Sequence, residues 1–266
     1  MGAPPGAVDV WILTQVNAWL GLWPRLDALV EVLVQNDLAK GGLLVGALWF
    51  VWHDPRPDRD RRRELVLATI AGALLAAVAS RTLAVTLGWH ARPYATAGLA
   101  LQHPFPLELD RQPNAFPSDH AALAMALATG LAFVSRRLGA VAVAQVVLLV
   151  ALPRLYLGLH WPSDLAAGLA IGAAASWVTC AAPVRAWLAR PVLARAERAP
   201  GLFHALLFLV AFGLMTRFED ERALAGWAAA AAAGHATAGL AAGAAPRPAE
   251  LRPPEAPSAE ARPAAF

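Results

Sequence analysis

The sequence predicts an all-α protein, a polytopic transmembrane bundle of about six helices. Three observations carry that expectation. Of 266 residues, 58% are hydrophobic and only 15% are charged, too few polar groups to coat a soluble domain. Apolar runs recur at or near the length of about 20 residues that crosses a hydrocarbon core. The arginines fall in a few short loops between those runs and not along one face. That is a footprint of membrane topology, and it argues against nucleic acid as a partner.

Taken in order, residues 8–23 are apolar but carry Gln15 and Asn17, so this segment is expected to lie in the interface and not to span. Five spans follow, at residues 33–52, 65–87, 121–134, 140–159 and 165–182; the third is short. A sixth apolar run, 202–215, is also short. The loop HDPRPDRDRRRE, from His53 to Glu64, is the densest basic segment and is assigned to the cytoplasm. Arg136, Arg137 and the four arginines between Arg185 and Arg198 then fall on the same side, and the loop 88–117 and the turn holding His160 and Asp164 fall outside. Residues 1–220 are therefore expected to form the membrane domain. The rest, 221–266, is an Ala- and Pro-rich tail, expected to be largely disordered because it lacks the apolar content for a core. The N-terminus shows neither the basic region of a signal peptide nor a myristoylation site, so insertion is expected to come from the spans.

Several residues have a structural reading. The single cysteine, Cys180, excludes an internal disulfide and is read as packing. Asp37 and Lys40, one turn apart, are read as an ion pair. Trp23, Trp52, Trp89 and Trp161 fit an aromatic belt. Tyr156 is read as packing, and His204 and His235 lack partners at metal-ligand spacing.

Three polar clusters stand on the outer side, each where an apolar run ends: GWHARPY (Gly88 to Tyr94), FPSDHAA (Phe116 to Ala122) and PRLYLGLHWPSD (Pro153 to Asp164). Any one of them alone reads as a helix cap or an interfacial anchor. Together they place ionisable groups at one membrane face, where such groups are costly and mark function. Ser118 is a good N-cap, and the first-turn N–H groups of its helix form an anion site that His120 would border. Asp164, four residues after His160, can accept from its Nδ1–H and aim the Nε2 lone pair outward, as nucleophilic attack on phosphorus requires. Arg92 and Arg154 supply forked donors for phosphoryl oxygens. No carboxylate cluster resembles a magnesium cage, so metal-independent chemistry without a cofactor is expected.

These residues resemble the type 2 phosphatidic acid phosphatase superfamily, whose site is shared with vanadium haloperoxidases. Its motifs are Lys-x6-Arg-Pro, Pro-Ser-Gly-His and Ser-Arg-x5-His-x3-Asp. The third matches Arg154, His160 and Asp164, with Pro153 in place of the leading Ser. The second matches Pro117, Ser118 and His120, with Asp119 for Gly. The first keeps Arg92 and Pro93 but has Val85 at the lysine position. The similarity covers residues 33–182, and FPSDH with RLYLGLHWPSD looks most like the undecaprenyl-diphosphatase branch.

The resemblance implies that His160 attacks and becomes phosphohistidine, that Asp164 orients it, and that His120 protonates the leaving oxygen. It places Arg92, Ser118, Asp119 and Arg154 at the phosphate. Arg81 is the candidate for the missing lysine, with His90, His103 and Arg111 behind it; alternatively, Arg81 pairs with Glu31 or Asp37. The implied activity is metal-free hydrolysis of undecaprenyl diphosphate, a polyprenyl lipid, at the outer face of a bacterial plasma membrane, recycling a lipid carrier for cell-wall synthesis. A phosphatidic acid or phosphatidylglycerol phosphate phosphatase of the same family is the alternative. A non-catalytic transporter or lipid-binding protein is a third reading; against it, the charges sit at one face and not at the midplane.

Overall fold

The computed structural model describes residues 6–87, 90–96, 98, 99, 101 and 114–216. The chain divides into two units, Met1–Glu219 and Asp220–Phe266. All the described residues belong to the first unit; the tail, Trp89, His103, Arg111 and His235 lie outside them.

The described residues form nine helices and no strand: α1 (Ala7–Asn17), α2 (Pro24–Gln35), α3 (Leu38–His53), α4 (Arg59–Thr86), α5 (Asp119–Val134), α6 (Arg136–Tyr156), α7 (Pro162–Cys180), α8 (Ala182–Ala196) and α9 (Pro200–Thr216). Three of them, α4, α6 and α7, are long and apolar enough to cross a membrane. The all-α fold is the one expected. The first expected span, 33–52, is divided differently: α2 ends at Gln35, Asn36 takes an extended conformation, and α3 begins at Leu38. Asn36 Oδ1 accepts the Ala39 N–H at 2.9 Å, so the asparagine side chain caps the restart. The anticipated Asp37–Lys40 pair is present at 2.7 Å. Residues 8–23 do not form one helix, because α1 stops at Asn17 and Gly21 turns the chain with a φ of 86°.

The core is built around α5. Its sequence DHAALAMALATGLAFV is bounded by Ser118 and Ser135, both extended. Sixteen residues give about 24 Å at 1.5 Å per residue, less than a hydrocarbon core. That shortness is tolerated because α5 is nearly encased: Ala121, Ala122, Ala126, Leu127 and Ala128 are all fully buried between α4 and α7. Alanine contributes little bulk, so the helix axes approach closely. The bundle perimeter carries the exposed apolar side chains, among them Val78, Val85, Val141, Trp177 and Phe208.

The approach is tight between α5 and α7. A Cβ on Gly172 would stand 2.0 Å from the Ala122 carbonyl oxygen and 2.9 Å from Ala126 N. Both obstacles are main-chain atoms of a buried helix and have no room to yield. Gly172→Ala is expected to cost roughly 1–3 kcal/mol by overpacking, seen as a lowered unfolding midpoint in detergent. An unchanged midpoint would show that the seam is looser than this geometry.

Hydrogen bonds gather four segments at one end of the bundle. Asn114 Nδ2 donates to Ala84 O at 2.6 Å near the end of α4, and Ala115 N donates to His90 O at 2.8 Å. Ser118 N donates to Asp164 O at 3.1 Å, which ties the start of α5 to the start of α7. The basic loops lie at the other end of these helices, where Glu64 accepts from Arg185 at 3.1 Å and Arg190 at 3.2 Å.

Candidate active site

The turn between α6 and α7 carries the histidine with the richest surroundings. Within α6, residues Val146–Ala151 widen into a π-helical segment just before Pro153, whose ring cannot donate to the preceding turn. The helix then ends at Tyr156, and Gly158, with a φ of 67°, reverses the chain in a backbone region that favours glycine. Leu159 N returns to Arg154 O at 2.9 Å, and Tyr94 N donates to Gly158 O at 3.2 Å. This reversal delivers His160 to the interior, with 2% of the residue exposed.

His160 Nδ1 lies 3.0 Å from Ala115 O. A carbonyl only accepts, so Nδ1 carries the proton and Nε2 holds the lone pair. Nε2 faces Arg92 Nη1 at 3.4 Å. Arg92 is itself buried and uses the same Nη1 to donate to Leu159 O at 3.1 Å. Arg154 is buried as well, with Nη1 donating to Val150 O at 3.0 Å. Burial pushes the His160 imidazole below its ordinary value; Asp164 opposes that shift, and the Arg92 and Arg154 cations add to it. A neutral imidazole with its lone pair on Nε2 is the nucleophilic form.

Asp164 is fully buried, yet its role differs in detail from the sequence expectation. Its Oδ2 is 3.6 Å from His160 Nδ1, beyond hydrogen-bond length, and instead accepts the Trp161 N–H at 2.8 Å. Its Oδ1 accepts from His90 Nδ1 at 2.9 Å. The group that directly fixes the His160 tautomer is thus a main-chain carbonyl, with the carboxylate just behind it.

Across the site stands the first turn of α5. Ser118 is at the N-cap position, but its side chain makes no capping bond. Its Oγ is buried and has no hydrogen-bond partner among the described residues. An orphaned buried hydroxyl is costly unless a ligand completes it, and a phosphate oxygen fits that need. His120 Nδ1 lies 2.8 Å from Asp119 Oδ1, so its proton on that side is held and Nε2 is the exchanging nitrogen. Asp119, expected at the phosphate, accepts both from this ring and from the His120 N–H at 2.8 Å.

Neither Val85, at the first-motif lysine position, nor Arg81 is buried. Val85 is 72% exposed on the outside of α4. Arg81 sits one turn before it on the same face and is likewise exposed, outside the buried set of Arg92 and Arg154. Among the described residues no group of three His, Cys, Asp or Glu side chains is placed to hold a metal ion.

Two other expectations change. Trp161 is not part of an aromatic belt: it is fully buried, and its Nε1 donates to Ala91 O at 2.9 Å, holding the Arg92 segment against the turn. Trp52 is also buried, whereas Trp23 is exposed. Tyr156 is held by more than packing, since its hydroxyl donates to Asp27 Oδ1 at 2.5 Å. Asp27 and Asp9 escaped sequence reasoning. Asp9 accepts from Ser163 N at 2.9 Å and from Ser163 Oγ at 2.8 Å, bracing the start of α7 from α1. Lone acids on apolar helices were the available signal. Nothing in the sequence marks the Ala115 carbonyl.

The model of the PAP2 superfamily matches residues 38–188. A crystal structure of LpxE from Aquifex aeolicus is similar in fold, with a TM-score of 0.54 and 23% identity over 67% of this chain and 98% of that one. No curated protein matches the chain.

Proposed function

The chain belongs to the PAP2 superfamily, and from that premise we propose that it hydrolyses undecaprenyl diphosphate to undecaprenyl phosphate and phosphate, without metal, through a phosphohistidine on His160. The observation that carries this reading is the buried His160 Nε2, proton-free and 3.4 Å from a buried guanidinium. In the proposed reaction Nε2 attacks the terminal phosphorus while the bond to the bridging oxygen breaks. His120 delivers a proton to the departing lipid phosphate. Water then attacks the phosphohistidine, His120 takes its proton, and phosphate leaves. Arg92, Arg154 and Ser118 hold the equatorial oxygens, where charge accumulates. The site opens on the outer side of a bacterial plasma membrane. That orientation is supported by the gathering of arginines at the opposite end of the helices, as the positive-inside bias requires.

The test is phosphate release by the purified protein in detergent containing EDTA, with undecaprenyl diphosphate and phosphatidic acid compared. Preference for the diphosphate supports the reading, preference for phosphatidic acid moves it to the monoester alternative, and release from neither refutes it. His120→Asn separates the two chemistries further. A diphosphate expels a weakly basic phosphate, whereas a monoester expels an alkoxide that needs a proton. General-acid help is worth roughly 10²–10⁴-fold and matters most for the poorer leaving group. The variant is expected to lose much more activity on phosphatidic acid than on undecaprenyl diphosphate; equal losses would remove His120 from that role.

A further inference from the structure

His90 lies two residues before Arg92, outside the three motifs. Its side chain is 20% exposed, and its Nδ1 is 2.9 Å from Asp164 Oδ1. Its main chain is engaged too: the His90 N–H donates to Asn114 Oδ1 at 3.0 Å, and the His90 carbonyl accepts from Ala115 N at 2.8 Å. Among the described residues, the Ala115 carbonyl at 3.0 Å and the Asp164 carboxylate at 3.6 Å face Nδ1 of His160. His90 therefore engages both residues: its carbonyl accepts from the Ala115 N–H, and its ring donates to the Asp164 carboxylate. Phe116 and Trp161 flank that ring, with centroids 6.1 and 6.4 Å away.

The chemistry asks for such a contact. When Nε2 of His160 bonds to phosphorus, the ring gains positive charge, and a fixed anion near Nδ1 stabilises it. Asp164 supplies that anion only while it is held in place. Fully buried, it needs donors on both oxygens. Trp161 N–H serves one oxygen and His90 serves the other. A carboxylate only accepts, so His90 holds a proton on Nδ1 whether its ring is neutral or charged. Without that donor, one buried oxygen of Asp164 loses its hydrogen bond and the carboxylate turns away from its present place.

Resting on the phosphatase reading, we propose that His90 is a positioning residue for the nucleophile: it holds the Asp164 carboxylate in place, aimed at the imidazolium that forms on His160. Its contribution falls in the transition state and not in the binding of ground-state phosphate.

Orthovanadate, which takes the trigonal-bipyramidal shape of the transferring phosphoryl group, and inorganic phosphate separate those two states. Their affinities are measured by calorimetry on the detergent-purified full chain. The wild type is expected to bind vanadate more tightly than phosphate. His90→Phe, which keeps a ring but loses the donor, is expected to reduce that preference about 10- to 100-fold with phosphate affinity unchanged. His90→Asn places an amide N–H near the position of Nδ1 and is expected to restore it to within about threefold of wild type. In turnover, the Phe variant lowers kcat and leaves KM. A vanadate preference that persists in His90→Phe overturns the role of His90 alone, as does an Asn variant that behaves like the Phe variant. A wild-type chain without any vanadate preference overturns the phosphatase reading itself.

Discussion

His160→Gln is expected to abolish phosphate release, lowering turnover by about 10⁴-fold or more, the scale on which removing a nucleophile disables a site whose groups act as a unit. Glutamine fills similar space and can still donate to the Ala115 carbonyl, so the fold is retained while the lone pair on Nε2 is lost. Rapid-quench labelling with substrate carrying ³²P in the terminal phosphate makes the test direct: acid-labile, base-stable label accumulates on the wild type and not on the variant. A variant with wild-type turnover would mean that another group attacks. The same imidazole is expected to set the acidic limb of the pH profile. Attack needs the neutral ring, and protonation removes the lone pair. Because burial holds the His160 value below the ordinary histidine range, the neutral form persists to lower pH. The acidic fall in kcat/KM for the free enzyme is therefore expected below the pH at which an exposed histidine titrates. A limb at or above that pH would assign it to some other group.

Arg92→Lys is expected to lower kcat roughly 10²- to 10³-fold, nearly as far as Arg92→Ala, although lysine keeps the charge. The reason is geometric. Arg92 spends Nη1 on the Leu159 carbonyl and still presents guanidinium N–H groups toward His160 Nε2 and whatever binds there. An ammonium has no planar fork with which to satisfy the carbonyl and two phosphoryl oxygens at once. Leu159 directly precedes His160, so loss of that anchor also frees the turn. Steady-state kinetics on the lipid substrate checks this, and a lysine variant retaining a third or more of wild-type kcat would reduce Arg92 to a simple counter-charge.

Much of the proposed site was legible in the one-dimensional order of residues, because the proposed chemistry needs particular groups at particular separations along helices. The spacing of Arg154, His160 and Asp164 reflects a helix end, a reversal and a first helical turn. The pair Ser118 and His120 reflects another first turn. The same spacings misdirected in two places. Four residues between His160 and Asp164 suggested a direct hydrogen bond, but Oδ2 is taken by the Trp161 N–H of its own turn. The serine at the head of α5 suggested a cap, but its Oγ finds no partner among the described residues. In both cases a local rule met competition from a neighbour brought in by the fold.

Composition and apolar run length were enough to determine that this chain is an all-helical membrane bundle, since burial in lipid leaves the backbone few alternatives. Run length misled at residues 33–52, where extended Asn36 divides one apolar run between α2 and α3. The order of the motifs was enough to place Arg92, His120 and His160 at one end. What only the tertiary structure decided is how each is held: His160 by the Ala115 carbonyl, Asp164 by His90, His120 by Asp119, and the α6–α7 turn by Asp9 and Asp27 from the first two helices. Backbone carbonyls carry no sequence signature, and a contact such as Asp27 to Tyr156, which joins residues 129 positions apart, is set by how helices dock and not by any local pattern.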